Sequence, residues 1–135
     1  MGTHGRSALH VLAGDPEASV RAEAGSSLGG GDTTAGTRDL LASLLRDPEQ
    51  GVRRAVAHSL ATSLDGTPAV AELLLPLLDA RDQMLRLEAA FGLGLREDPR
   101  TPEACERVGP LGPEFEHDIR ADELGRWKLR QRPSG

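Results

Sequence analysis

The sequence predicts an all-α fold, an αα-superhelix of three helix-turn-helix repeats closed by a C-terminal capping segment, and three observations carry it. Asp-Pro stands at residues 15–16 and 47–48, Asp79-Ala80 follows, and each Asp lies 32 residues after the last. A fixed period of that size marks a stacked repeat architecture. The strings downstream of each Asp also match: DPEASVRAEAGSSLG, DPEQGVRRAVAHSLA, and DARDQMLRLEAAFGLG, the last with one extra residue before its Arg. In register, Val20, Val52 and Leu85 align, then Ala24, Val56 and Ala89, then Leu28, Leu60 and Leu93. Positions at i, i+4 and i+8 project one apolar stripe from a helix. Finally, 38% apolar residues with 2% aromatics and no Tyr leave Leu, Ala and Val to build the core, and Leu and Ala are strong helix formers.

The elements follow in chain order. Repeat one spans about residues 6–29, with Leu9, Leu12 and Ala13 on a short first helix after a glycine-containing start. Ala8, Val11 and Leu12 are expected to stay partly exposed or to bury against another chain, which makes self-association through the N-terminal repeat an expectation. At Asp-Pro, Asp is expected to cap the following helix and Pro to sit in its first turn, where no donor is missed. Gly29 suits a helix end that needs positive φ, and Gly29 to Thr37, GGGDTTAGT, reads as an extended loop. Repeat two spans 38–62, with Leu41, Leu44 and Leu45 before Asp47, and Asp65 to Pro68, DGTP, is the next turn. Repeat three spans 68–95, where Pro76 within the first helix predicts a kink or an early stop. Residues 1–95, the repeat domain, are 43% apolar; residues 96–135 are 25% apolar and hold five of nine prolines. That segment is expected to be a partly disordered cap and tail, although Ile119-Arg120 echoes the Val-Arg of the repeats.

Composition also limits function. At about 150 residues per domain, 135 residues predict one packing unit. A net charge of −5, with 8 basic against 12 acidic groups in residues 1–95, disfavours nucleic acid and anionic membranes as partners. No apolar run reaches the roughly 20 residues of a membrane span, and MGTHGRSALH lacks the apolar core of a signal peptide. A single cysteine, Cys105, cannot form an internal disulfide, so a cytoplasmic protein is expected. In the tail Glu114, Glu116, Asp118, Asp122 and Glu123 precede Arg126, Lys128, Arg130 and Arg132, a pattern usual for solvated helix faces. His4, His10, His58 and His117 lack ligand spacing, and CxxC, HExxH and GxSxG patterns are missing. No catalytic residue, metal or cofactor is therefore expected.

The repeated signature DPxxxVRxxAxxxLG is carried by Asp15, Pro16, Val20, Arg21, Ala24, Leu28 and Gly29, and again by Asp47, Pro48, Val52, Arg53, Ala57, Leu60 and Ala61. It resembles the HEAT-repeat family, in the short bacterial form also found in phycobilisome bilin-lyase-like proteins. The resemblance implies a right-handed HEAT-like solenoid that works as a non-catalytic scaffold or adaptor and binds a protein partner on its concave face, because stacked repeats leave a long curved surface. Two alternatives come with it: a bilin-lyase-like role in chromophore attachment, and nucleic-acid binding. Asp15, Arg21, Asp47, Arg53, Asp79 and Arg86 would form a structural ladder between units, or an Arg row gripping an acidic partner. One step past each Arg, Ala22 and Ser26, Arg54 and His58, and Leu87 and Phe91 form pairs at i and i+4 on a solvent-facing column, the expected partner-binding surface. Leu87 and Phe91 are expected either to meet a partner or to lie beneath the tail, covered by Leu124 and Trp127.

Overall fold

The computed structural model describes residues 8–31, 35–64 and 66–130, all helix, turn or irregular chain without a strand among them. Residues 8–12 form a short helix α1, and α2 follows at Ala18–Gly29. The second hairpin is α3 (Ala35–Leu44) and α4 (Gln50–Ala61). The third is α5 (Pro68–Leu74), continued by a 3₁₀ turn at Leu75–Asp79, and α6 (Gln83–Leu95). Beyond these come α7 (Thr101–Val108), a second 3₁₀ turn (Pro113–Phe115) and α8 (Ile119–Arg130).

The second helices stack in the order α2, α4, α6, α8. The apolar columns read from the sequence are the contact. Ala24, Leu28, Val52, Val56, Leu60, Leu85, Ala89 and Leu93 are all buried, and Val20 is half-buried at the open end. One core runs without a break from Ala13 to Leu124. Both α7 and α8 pack on α6, so residues 96–130 form a fourth helix pair that closes the end of the third repeat. Their few apolar residues suffice because α6 supplies the other half of the interface. Ala104, Cys105, Val108, Phe115 and Leu124 are buried there. The expected loose terminus falls on residues 131–135, outside the described residues.

Pro76 acts as expected: α5 ends at Leu74, and the proline sits in the first turn of the 3₁₀ segment, where its missing N–H costs nothing. Three local expectations are corrected. Asp15 and Asp47 do not cap α2 and α4 directly; they accept from the backbone N–H of Glu17 (2.8 Å) and Glu49 (3.0 Å), the residues in the N-cap positions. The turn is thus an Asx turn feeding the helix, a local bond that competes with capping. Gly29 ends α2 without positive φ, and the C-cap is Gly30 at φ −81°. What Gly29 supplies is room: a Cβ there would lie 3.2 Å from Ser59 Oγ on α4. The loop before repeat two is shorter than read, since α3 starts at Ala35 and Thr37 is buried.

A further correction concerns register. Arg21 Nη1 donates to the carbonyl of Asp15 (2.9 Å), Arg53 Nη1 to that of Asp47 (2.6 Å), and Arg86 Nη1 to that of Ala80 (2.7 Å). Each is six residues back. Ala80, not Asp79, is therefore the counterpart of Asp15 and Asp47, and the extra residue of repeat three lies before the turn.

Candidate functional site

The column on the second helices divides into an open half and a closed half. On α2, Ala22 and Ser26 are half-buried. On α4, Arg54 reaches across to the next hairpin: its Nε and Nη2 donate to the Asp82 carboxylate at 2.8 and 3.0 Å. Asp82 is the N-cap of α6, accepting from Met84 N–H at 3.0 Å. The Arg54 hydrogen bond, opposed by burial and helped by the Met84 N–H, holds its pKa below the ordinary carboxylate value. His58, one turn along, has Nδ1 2.9 Å from Glu88 Oε1, with its side chain 59% exposed.

Leu87 and Phe91 are not on a solvent-facing surface. Leu87 is fully buried and Phe91 is 8% exposed, which removes both from the expected partner surface. The reason is α8: it lies on α6, and Phe91, Leu124 and Trp127 line one small cavity of about 20 Å³. The apolar pair is covered by the chain itself, which relieves it of any need for a partner.

Glu88 is the residue that sequence reading missed. It is fully buried between its neighbours Leu87 and Ala89, where carboxylates are rare unless paired. Oε1 accepts from Arg120 Nη1 of α8 and meets His58 of α4, while Oε2 has no partner among the described residues. Arg120 in turn donates from Nε to Asp118 (2.8 Å), which lowers the Asp118 pKa. One polar chain, His58, Glu88, Arg120, Asp118, thus ties α4, α6 and α8 together. The available signal was Arg120 in the Val-Arg echo, read without a counter-ion.

The ladder expected from Asp15, Arg21, Asp47, Arg53, Asp79 and Arg86 is partial. Arg21 spans to Asp47 with Nε at 2.9 Å and Nη2 at 3.1 Å, and this bidentate pair holds Asp47 below its ordinary pKa. The next rung is missing because Ala80 stands where Arg53 would find a carboxylate. Asp79 instead pairs with Arg107, and Arg86 donates to backbone carbonyls of Ala80, Arg81, Arg107 and Val108. The Asp15 carboxylate accepts from Glu17 N–H within its own turn.

A second cationic device was also invisible in the sequence. The Arg96 guanidinium donates to the carbonyls of Leu60, Ala61 and Ser63 at 2.9 Å each. These carbonyls lie at the last residues of α4 and just past its end, where intrahelical donors run out, and a cation there also suits the helix dipole. Burial raises the thiol pKa of Cys105, so a reactive thiolate is disfavoured. Among the described residues no group of three or more His, Cys, Asp or Glu could hold a metal ion. No helix among them is long and apolar enough to cross a membrane.

No curated protein and no solved structure matches the chain. Residues 6–94 match the family of HEAT repeats, in keeping with three stacked helical hairpins over the same stretch, and the chain belongs to the HEAT-repeat family.

Proposed function

We infer that this chain is a non-catalytic protein-interaction scaffold whose partner lies on the second helices of the first two repeats, over Ala22, Ser26, Arg54 and His58. One observation carries this reading. The column is half-exposed at Ala22, Ser26 and Arg54 and exposed at His58, while α8 covers its continuation on α6. A face left open by two repeats and closed by the chain's own last helix is a bounded surface without a pocket, suited to another protein. The charged groups beside it are tied up structurally, Arg54 to Asp82 and Glu88 to Arg120 and His58.

Photo-crosslinking in the native cell tests this. A photoreactive residue replacing Ser26 or His58 should trap one discrete protein, and the same probe replacing Ser43, exposed on α3, should not. Equal labelling from all three positions would overturn the surface. A saturable absorbance change with a linear tetrapyrrole would instead favour the bilin-lyase-like role, and a salt-sensitive gel shift with DNA would favour nucleic-acid binding.

A further inference from the structure

The missing ladder rung coincides with a groove. A cavity of about 420 Å³ opens between the second and third hairpins beside the Ala80 turn, within the size range of ligand sites. Its floor is apolar, from Leu45, Leu73, Leu77 and Leu85. Three guanidiniums line it: Arg46 after α3, Arg53 on α4, and Arg81 in the turn before α6.

The charges around this groove are unequally satisfied. Its three carboxylates are each held by an Arg from outside the lining: Asp82 by Arg54 at 2.8 Å, Asp79 by Arg107, and Glu72 by Arg100 at 3.3 Å. Its three Arg residues have no carboxylate within salt-bridge distance among the described residues. Arg53 makes one hydrogen bond, from Nη1 to the carbonyl of Asp47, where its counterpart Arg21 also grips a carboxylate with Nε and Nη2. Had residue 80 been Asp, as the repeat dictates, Arg53 would be consumed and a carboxylate would stand at the rim.

Resting on the reading of the chain as a protein-binding module, we propose that this groove takes an acidic peptide segment of the partner, with an apolar side chain on the leucine floor and carboxylates on Arg46, Arg53 and Arg81. A guanidinium binds a carboxylate two-pronged, so one carboxylate satisfies one Arg. Three cations from three elements around one apolar floor call for several carboxylates spread along a chain, which an acidic peptide has and a simple fatty acid lacks.

The test is fluorescence anisotropy on the full chain with a labelled peptide of Leu set among Asp and Glu. Saturable binding is expected, weakened by salt, and lost when Leu becomes Ser or when the acids become Lys. Arg46→Glu with Arg81→Glu, both exposed positions, should weaken it by at least about tenfold. Ala80→Asp should weaken binding and raise the melting temperature together, because the new carboxylate engages Arg53; this pairing separates loss of the site from loss of the fold. No saturable binding at low salt would overturn the proposal, as would a fatty carboxylate displacing the peptide at lower concentration. Binding that responds to Ser26→Arg and His58→Glu but not to the groove variants would also sink it, leaving the scaffold reading intact. Crosslinks absent at positions 26 and 58 beside normal peptide binding would do the reverse.

Discussion

Removing the Arg120 side chain should cost far more stability than its place on the last helix suggests. Glu88 is fully buried, and Arg120 is its principal counter-charge; the remaining partner, His58, is mostly exposed, and Oε2 already lacks a bond. In Arg120→Met the stem volume is kept, so the loss is that of a buried carboxylate stranded without its cation. Breaking a buried pair from one side costs about 3–5 kcal/mol. For a chain of this size about 3 °C is lost per kcal/mol, so the melting temperature should fall by roughly 9–15 °C. Thermal denaturation followed by far-UV circular dichroism at neutral pH reads it directly. The double variant Glu88→Gln with Arg120→Met should recover part of the loss, because a neutral amide needs no counter-charge. A fall under about 3 °C, or a double variant no more stable than the single one, would refute the account of Glu88 as a charge dependent on α8.

Gly92 is a close-approach glycine: a Cβ there would lie 2.6 Å from Leu74 Cδ1 and 2.9 Å from the backbone Cα of Ala61. Gly92→Ala should therefore destabilise by about 1–3 kcal/mol despite the better helix propensity of Ala, and a urea midpoint at or above that of the parent would contradict this. Asp47, Asp82, Asp98 and Asp118 are all held below their ordinary value of 3.8 by Arg hydrogen bonds. Their unfolded forms take up protons first, so their stabilisation is complete above the unfolded pKa and is lost as pH falls through that value towards the folded ones. Melting temperatures across acidic pH should drop steeply, and less steeply in Asp82→Asn; equal slopes would remove Asp82 from the effect. Trp127, the single tryptophan, shares its cavity with Phe91 and Leu124, so Phe91→Ala should shift its emission to the red. An unchanged spectrum would mean that α8 is not seated as described.

Much of the fold was legible in advance because helical periodicity is a property of one segment at a time. The Val-Ala-Leu columns, the Asp-Pro turns and the break at Pro76 each rest on neighbours within a few residues, and each appears in place. Register in the third repeat was not legible: both Asp79 and Ala80 satisfy the local pattern, and only the bond from Arg86 to the Ala80 carbonyl separates them. Leu87 and Phe91 were left between a partner and cover by the tail for a similar reason. Helix phase places them correctly on the column, but phase says nothing about whether a later helix covers it.

The amino-acid order alone determined three amphipathic hairpins, their period and the direction of their apolar ridges, because these depend on backbone geometry and on side chains three or four residues apart. The tertiary structure decided which charges meet: Arg54 with Asp82, Glu88 with Arg120, Arg96 with the end of α4, and Arg53 with no carboxylate among the described residues. Those pairings span 28 to 36 residues. They follow from how each hairpin sits on the last, and close packing fixes that seat, as at Gly92, where an added methyl group would meet the backbone of Ala61.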